Sequence, residues 1–483
     1  MMNISLHLKI SPDRVAMMLP ANRTGHCFLL LLLFVLTVTF ITDAGRNLYS
    51  DTQIPSKNNL SASITQPGTA LLKRSIVPLH QPDDYNSLIK LAGQVPYVLI
   101  GDSTHGTHEF YQQRIDISKR LIQEKNFKLI VLEGDWPNVY SLNQYVQAAT
   151  HLTAEQALNA TNPDVTWLWN NREMLNFIQW LRGYNDQLPG AEQKVSLLGM
   201  DIYSFEKSKA LVIDYLQSFS PLAAQQARQR YQCFDRFNND LHRYGQAVSE
   251  DLSLSCEREA LEQYLDFSAC RFPCPQQNPF IEREAFFYAL QNARVIKNSE
   301  KSLRTQYLTG DETKSWNQRD RHMLESFLAM SAHLQHPKTV LWAHSSHLGD
   351  ARATEMAEQS LLNVGQLLRQ HFKRQVFAIG MLTYSGTVMA ADSWNMPAKI
   401  KTLLAAHPDS NEALFHRLGI PRFVLHLHQS PELIQFLNKS RLQRHVGVVY
   451  LPQKEMESHY SYTHLADQFD AIVYTDYTTA VTP

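Results

Sequence analysis

The sequence predicts an α/β protein with a central, largely parallel sheet flanked by helices and an inserted helical lobe. Short runs of apolar residues recur along the chain, and segments with helical spacing separate several of them. Within these runs apolar residues do not alternate with polar ones, which is typical of strands buried on both faces of a parallel sheet. A stretch from about 205 to 335 has helical patterns and no comparable run, and it predicts the inserted lobe.

The first predicted elements are a strand, a helix and a second strand. Residues 97–101 form an apolar run, residues 108–126 place apolar residues at helical spacing, and residues 127–134 form the second run. A helix is expected to follow directly, over the segment YSLNQYVQ. Because parallel strands need a crossover connection, this order favours a parallel sheet.

Later apolar runs predict the rest of the sheet. Residues 45–75 are polar and without periodicity, so we expect a linker there and one folded domain over 76–480 that contains the helical insertion. The further strand candidates are residues 194–203, 339–347, 375–384, 422–427, 445–451 and 469–476.

Composition and charge limit the classes of function. The chain has 483 residues, 44% of them hydrophobic and 19% charged, which is ordinary for a globular protein. Lys and Arg total 45 against 46 Asp and Glu, so no overall field attracts nucleic acid or anionic lipid, and we expect no nucleic-acid partner. Twenty His residues make the position of the histidines the main question, since His titrates near neutral pH.

The N-terminal region predicts export. Residues 27–41 form an apolar run that follows basic residues and precedes Ala44, as in a signal peptide spanning residues 1–44. The run is shorter than the roughly 20 residues that cross a bilayer, but an uncleaved anchor is an alternative, as is a start at Met17 or Met18. We expect a periplasmic or secreted protein whose only membrane contact would be an anchor at 27–41.

Four cysteines lie close together within the predicted helical insertion. In an exported chain they predict one or two local disulfides, with three connectivities open. Free thiols and a zinc site are the alternatives, although no CxxC pair favours zinc. The residues are Cys233, Cys256, Cys270 and Cys274.

Ionisable residues follow four of the predicted strands. Because ligands of open α/β sheets bind outside the carboxyl ends of strands, these residues are candidates for a functional cleft. Each alone is equally compatible with a helix N-cap or a hydrogen-bonded structural histidine. The strand ends carry Asp102, His105, His108 and Glu109, with Arg114 in the following helix; Glu133, Asp135 and Trp136; Asp201; and His344 and His347.

These residue types suit hydrolysis by an activated water. A neutral imidazole can take a proton from water, a carboxylate can orient it, and an arginine or second imidazole can stabilise an oxyanion. The same side chains could instead hold zinc or two metal ions, although the HExxH spacing is absent. GxSxG, P-loop and GxGxxG motifs are also absent, which argues against a serine hydrolase, an NTPase and a dinucleotide enzyme, and we expect no cofactor.

The ordered motifs at these positions resemble those of the erythromycin esterase family, collinearly from about residue 80 to 476. The resemblance implies a two-lobed α/β fold that opens macrolactone esters with activated water, generally without a required metal. The motifs are GDSTHGTHEFYQQR (101–114), VLEGDWPNVYSLNQYV (131–146), LLGMDIYS (197–204), SWNQRDRHM (315–323), VLWAHSSHLGDAR (340–352), GMLTYSGTVMAADSW (380–394) and SHYSYTHLADQFDAIVYTD (458–476).

The resemblance also implies residue roles. His105 or His344 is the general base, Asp102 supports it, and Glu133 positions or activates the water. Arg114 orients the carboxylate or stabilises negative charge. We further expect His108, Glu109, Trp136, His347 and Tyr384 to bind substrate.

Other residues of the motifs have two interpretations each. Trp136, Trp316 and Trp394 belong either to the core or to the apolar wall of a cleft. Arg319 and Asp320 either form a structural ion pair or contact substrate.

Two features separate this chain from the antibiotic-resistance enzymes of that family. Asp102 stands where those enzymes have Glu, which would move the carboxylate by roughly 1 Å, and such an error can cost about a hundredfold in rate. The predicted export signal is the second feature. We therefore expect a hydrolase for a small-molecule ester or lactone; the alternatives are a metal-dependent hydrolase, an enzyme of envelope polysaccharide or secondary metabolism, and a binding module without activity.

Overall fold

A computed structural model describes residues 66–160, 166–190, 193–238, 240–278, 282–394 and 396–482. The expected signal or anchor at 27–41 lies outside the described residues. Among the helices of the described part, none is both long and apolar enough to span a membrane.

A nine-stranded sheet forms the centre of the fold, in the order β1-β8-β11-β6-β2-β5-β3-β4, with β7 paired to β6. The neighbours from β11 to β4 are all parallel, whereas β1, β7 and β8 join antiparallel. The α/β fold class with a largely parallel sheet is thus confirmed. The strands are β1 Ile76–Pro78, β2 Tyr97–Asp102, β3 Leu129–Asp135, β4 Ser196–Asp201, β5 Thr339–His344, β6 Val376–Ala390, β7 Lys399–Leu403, β8 Arg422–His426, β9 Arg441–Arg444, β10 Tyr460–Thr463 and β11 Ala471–Thr478, of which β9 and β10 form a separate pair.

Helices pack around this sheet and form the segment between β4 and β5. Strands β2, β3 and β5 are buried along their whole length, which explains their continuously apolar sequences. The helices are α1 Gln66–Ser75, α2 Asn86–Ala92, α3 His108–Lys125, α4 Trp136–Val146, α5 Ala154–Asn159, α6 Thr166–Trp169, α7 Arg172–Asp186, α8 Phe205–Phe219, α9 Pro221–Asp235, α10 Leu241–Glu250, α11 Glu257–Ser268, α12 Arg283–Thr309, α13 Glu312–His333, α14 Ser345–Leu348, α15 Val364–Phe372, α16 Asn411–His416, α17 Pro431–Leu437, α18 Glu455–Ser458 and α19 Leu465–Gln468.

The expected strand at 445–451 is wrong. Its backbone groups bond to two separate segments instead of forming a ladder: the Val446 N–H donates to the Ser103 carbonyl oxygen, and the Tyr450 N–H donates to the Ala391 carbonyl oxygen. Continuous apolarity reflects burial here, because Val446 is fully buried although it lies in no strand.

The linker expected to end at residue 75 also needs correction, because Gln66–Ser75 is helical. Leu72 is fully buried in this helix, and the Ser75 carbonyl oxygen accepts a hydrogen bond from the Gln429 side chain. Contacts with distant parts of the chain therefore stabilise a helix that the polar local sequence does not predict.

The segment between β4 and β5 consists of helices α8 to α13 in its described parts, with its own buried cluster of aromatic and aliphatic side chains. Two disulfides lie in it, Cys233–Cys256 and Cys270–Cys274, with Cα–Cα distances of 5.8 and 5.6 Å. Of the open alternatives, two local disulfides are therefore the observed arrangement.

Candidate active site

The carboxyl ends of four adjacent parallel strands bring the candidate residues together. Asp102, the last residue of β2, is the register partner of His344, the last residue of β5. Asp135, the last residue of β3, pairs in the same way with Asp201 of β4. Side chains that are more than 200 residues apart in the sequence thus meet at one edge of the sheet.

A bulge near the end of β3 positions Glu133. The β3–β4 register shifts between Leu132 and Asp135, and bulges of this kind re-aim side chains. The two backbones approach closely here, since a Cβ atom on Gly199 would overlap the Gly134 carbonyl oxygen. Glycine at 199 is therefore required for the local geometry that presents Glu133.

His105 lies between two carboxylates. Its Nδ1 is 3.4 Å from Asp102 Oδ2 and its Nε2 is 3.9 Å from Glu133 Oε2. The Nε2 atom is buried and has no hydrogen-bond partner among the described residues. Because a carboxylate at Nδ1 favours the tautomer with hydrogen on that nitrogen, the Nε2 lone pair is the one able to accept a proton.

Arg114 holds Asp102 within the ends of the strands. Its Nη2 lies 3.1 Å from Asp102 Oδ1 and donates to the carbonyl oxygens of Ala343 (3.2 Å) and Ile100 (3.4 Å). Burial alone would raise the pKa of Asp102, but Arg114 and His105 together lower it below its ordinary value. Asp102 is therefore ionised and fixed opposite the imidazole.

Glu133 is the centre of the cluster. Its Oε1 accepts from Arg319 Nη2 at 2.8 Å and lies 3.4 Å from His347 Nε2, while its Oε2 accepts the His344 backbone N–H at 2.8 Å. Burial would raise the pKa of Glu133, yet His347 and Arg319 lower it below the usual value. The carboxylate is therefore charged beside His105.

Arg319, from helix α13, binds two strands at once. It forms a bidentate pair with Asp201, at 2.9 and 2.6 Å, in addition to its bond to Glu133. Burial raises the pKa of Asp201, but Arg319 outweighs this effect and lowers it to about 2. The guanidinium group also lies 5.2 Å from the centre of the Tyr203 ring.

The expected ion pair between Arg319 and Asp320 is wrong. Asp320 instead lies 2.9 Å from His347 Nδ1, and His347 Nε2 accepts from Arg319 Nη1 at 2.9 Å. The two side chains diverge because neighbouring positions on a helix point in different directions. Burial lowers the pKa of His347 to about 3 and raises that of Asp320, because it disfavours the charged form of each group.

His344 has hydrogen-bond partners at both ring nitrogens. Its Nε2 donates to the Ser103 carbonyl oxygen at 3.2 Å, and its Nδ1 faces the Ser346 hydroxyl at 2.7 Å. Burial lowers its pKa to about 3, with a further contribution from His105, whose ring centre is 4.8 Å away. A neutral imidazole with both nitrogens bonded fits a positioning role better than that of a base.

His445 is a fourth imidazole at this edge, and the sequence does not single it out because its segment is predicted to be a strand. Its ring centre lies 6.0 Å from that of His344, and its Nδ1 is buried without a described hydrogen-bond partner. Its backbone N–H donates to the His459 carbonyl oxygen, and burial lowers its pKa to about 3. No pattern in the local sequence distinguishes it from a strand residue.

A cavity of about 410 Å³ adjoins the cluster at Arg319 and Trp316. Trp316 stacks on His347 with ring centres 4.5 Å apart and 9° between the planes. Trp316 and Trp394 both line the cavity, and Trp394 also packs against the main hydrophobic core. The other lining residues are Ile202, Tyr203, Leu241, His242, Ser299, Ser302, Leu303, Gln306, Glu312 and Ser315, most of them from α10, α12 and α13.

Two predicted substrate-binding residues, His108 and Glu109, lie away from the cluster. His108 Nδ1 is 2.5 Å from Glu173 Oε1, and Glu109 accepts hydrogen bonds from the backbone and hydroxyl of Thr479. Both residues are in the first turn of α3, which directs them to helix α7 and the C-terminal segment instead of to His105.

Trp136 and Tyr384 are also placed elsewhere. Trp136 is buried against helix α12, where its Nε1 donates to the Tyr288 carbonyl oxygen. Tyr384 stacks on His416 of α16, with ring centres 3.7 Å apart. Both belong to packing contacts in this structure. The predicted residues that the structure does bring together are Asp102, His105, Arg114, Glu133, His344 and His347.

Among the described residues, no group of three or more His, Cys, Asp or Glu side chains is arranged to hold a metal ion. A parallel sheet whose strand ends gather imidazoles, carboxylates and an arginine beside a cavity is typical of the class of α/β proteins that bind a ligand at this edge. Comparison with known proteins makes that class more specific. The chain belongs to the erythromycin esterase family, whose profile matches residues 122–478, and this confirms the resemblance found in the motifs.

Two relatives of this chain carry names that describe hydrolases. A protein named putative hydrolase YbfO from Bacillus subtilis is 20% identical over 60% of this chain, and the match spans only 65% of that relative's length. The erythromycin esterase type II of Escherichia coli is 20% identical over 64% of this chain and 74% of its own.

Solved structures share the fold. A protein described as a succinoglycan biosynthesis protein matches with a TM-score of 0.71 and 19% identity, over 87% of this chain and 99% of its own. An erythromycin esterase mutant in its open conformation matches with a TM-score of 0.62 and 16% identity, over 83% of this chain and 95% of its own. At these identities the likeness concerns the fold alone.

Proposed function

We propose that this protein hydrolyses a carboxylic ester or macrolactone with a water molecule activated by His105, without a required metal. One observation carries the proposal: His105 Nε2 is a buried nitrogen without a hydrogen-bond partner among the described residues, 3.9 Å from the ionised Glu133. Asp102 on the opposite nitrogen keeps the ring in the tautomer that a general base needs.

In the proposed reaction, His105 Nε2 takes a proton from water as the water oxygen attacks the ester carbonyl carbon. Glu133 accepts a hydrogen bond from the same water and orients it. When the tetrahedral adduct collapses, the C–O bond to the alcohol breaks and the Nε2 proton passes to the departing alkoxide. Four of the five N–H groups of Arg319 bond to Asp201, Glu133 and His347, and in this mechanism the fifth donates to the oxyanion.

Lactones and simpler carboxylic esters are the two candidate substrate classes. Asp102 is one methylene shorter than the glutamate expected at this position in the antibiotic-resistance enzymes. Its contact with His105 is long, at 3.4 Å against the typical 2.7–3.2 Å of a hydrogen bond. Activity on macrolide drugs, which the name of one relative suggests, is therefore expected to be lower than on small esters.

Hydrolysis assays of the purified protein test the proposal. Macrolides and simple aryl and alkyl esters are incubated with and without EDTA, and the products are examined by mass spectrometry. We expect a mass gain of one water that persists in EDTA and is lost in His105→Ala, by about 100-fold or more. The matched control is His151→Ala, which removes an exposed imidazole that belongs to none of the family motifs.

Two results would overturn the proposal. Loss of activity in EDTA, with metal bound to the purified protein, would indicate a metal-dependent hydrolase. Absence of turnover on every small ester and lactone would favour acyl esters of envelope polysaccharides as substrates, since one structural neighbour is described as a succinoglycan biosynthesis protein.

We also infer that the protein is exported. The apolar run at 27–41 and two disulfides in the helical segment support an oxidising compartment. Fractionation of cells that express the full chain, with N-terminal sequencing of the product, tests this. Recovery from the cytoplasm with its thiols reduced would contradict it.

A further inference from the structure

The cavity beside Arg319 has a composition that points to a class of substrate. Its side walls carry two indoles, Trp316 and Trp394, and aliphatic side chains such as Leu241 and Leu303. Hydroxyl groups of three serines, among them Ser302, supply scattered polar contacts. Such walls favour a ligand with an apolar body and few polar groups.

The floor of the cavity is negatively charged. Arg319 is the cation that lines it, and that one guanidinium bonds to two carboxylates, Glu133 at 2.8 Å and Asp201 at 2.6 Å. One positive and two negative charges leave a net negative charge at the point where the cavity meets the cluster. The carboxyl group of Asp135 lies at the neighbouring strand end, where it accepts from the Tyr203 backbone N–H at 2.8 Å.

A further carboxylate lies at the mouth. Glu312, in the first turn of α13, lines the cavity and is exposed to solvent. The other ionisable side chain of the lining, His242, has its Nδ1 3.1 Å from the Tyr307 hydroxyl. Arg319 and Glu312 lie in the lining itself, and the two carboxylates bonded to Arg319 lie behind it, so these four groups sum to a net negative charge. A net charge of this kind lowers the local concentration of an anionic ligand, by about 10-fold or more where the field is focused.

We propose that this cavity binds the substrate and selects esters with an apolar body and no negative charge, either neutral or cationic. This inference rests on the proposed ester hydrolysis. It also accounts for product release, because hydrolysis creates a carboxylate next to Glu133 and Asp201, and like charges repel.

Three esters with the same p-nitrophenyl leaving group and equal acyl chain length provide the test. The far end of the acyl chain is a methyl, a trimethylammonium or a carboxylate group. We expect kcat/KM for the anionic ester to be at least about 10-fold below the other two in 50 mM NaCl, and the difference to narrow in 500 mM NaCl. Equal or faster hydrolysis of the anionic ester at low salt would overturn the inference and leave ester hydrolysis itself intact.

A variant of Glu312, at the mouth of the cavity, tests whether the preference against anionic esters arises in the cavity. Glu312→Gln is expected to narrow the ratio between the neutral and anionic esters, whereas Glu432→Gln, at an exposed position on helix α17, is expected to leave it unchanged. An equal ratio in both variants would argue that the cavity does not bind substrate.

Equilibrium binding separates this inference from the proposed function. Amides with the same three end groups resist hydrolysis and are titrated into the protein by calorimetry. We expect the neutral and cationic amides to bind more tightly than the anionic one by at least about 10-fold. Tighter or equal binding of the anionic amide would refute the selectivity even if no ester is hydrolysed.

Discussion

Arg114 Nη2 lies 3.1 Å from Asp102 Oδ1, and the same nitrogen donates to carbonyl oxygens at the ends of β2 and β5. The guanidinium is almost fully buried and is not part of the cavity lining. Its position favours the first of the two expected roles, orientation of the carboxylate, over direct stabilisation of charge on the substrate.

Arg114→Lys is expected to lower kcat by about 100-fold with little change in KM. A lysine keeps the charge but cannot bond to Asp102 and both strand ends at once, and a displacement of about 1 Å near the reacting groups has an effect of this size. Steady-state kinetics on the best ester measure the change, with Arg120→Lys as control, at a half-buried arginine of the same helix that pairs with Glu124. A rise in KM at constant kcat would indicate substrate contact instead.

His344→Gln is expected to stay within about 10-fold of the parent protein, and His344→Ala to lose about 100-fold. The side-chain amide of glutamine can replace the N–H that donates to the Ser103 carbonyl oxygen, so a positioning role would be partly rescued. If both variants are equally inactive and the pH profile loses the fall in activity at low pH that protonation of the base causes, His344 and not His105 is the general base.

Stability is expected to fall as the pH drops below about 6.5. Burial lowers the folded-state pKa of both His344 and His347 from 6.5 to about 3, so the unfolded chain binds protons more readily in this range. Their contribution to stability is complete above pH 6.5 and is lost as the pH falls toward 3, at up to about 1.4 kcal/mol per pH unit for each group. Urea unfolding at pH 7, 6, 5 and 4 measures the slope.

His347→Gln is the control for this pH dependence. The variant is less stable at pH 7 because it loses the bond to Asp320, but its free energy of unfolding should change less steeply with pH. The same slope in the variant and the parent would show that His347 does not contribute to it.

Removal of the Cys233–Cys256 disulfide is expected to destabilise the protein more than removal of Cys270–Cys274. The first bridge joins residues 23 apart and the second joins residues 4 apart, so chain entropy predicts losses of about 3 and about 2 kcal/mol. Urea unfolding of the paired Cys→Ser variants under non-reducing conditions measures both. A larger loss for the Cys270–Cys274 pair would contradict the entropic account.

Much of the architecture could be predicted because the signal is local. The runs at 97–101 and 339–347 became strands β2 and β5, and the ionisable residues that follow them meet in the structure. The segment at 445–451 is an exception, because an apolar run does not predict a strand where the residues are buried without a strand ladder.

The site was only partly predictable, because local sequence patterns locate strand ends but not the side chains that other elements bring to them. His105, Asp102 and Glu133 follow predicted strands, so the general position of parallel strand ends was enough to group them. Arg319 comes from a helix in the inserted segment, and no local pattern indicates that it crosses the strand ends to bind Asp201.

By itself, the sequence determined the α/β class, the parallel strands and the family motifs, because apolar periodicity and motif order are properties of neighbouring residues. Only the tertiary structure decided that His105 Nε2 has no hydrogen-bond partner in the described part of the chain, which oxygen of Asp102 Arg114 contacts, and that His108 and Tyr384 lie away from the cluster. Those outcomes depend on a helix-initiating turn, a bulge at Glu133 and a helix from the inserted segment, whose directions are set by packing between residues that are distant in the chain.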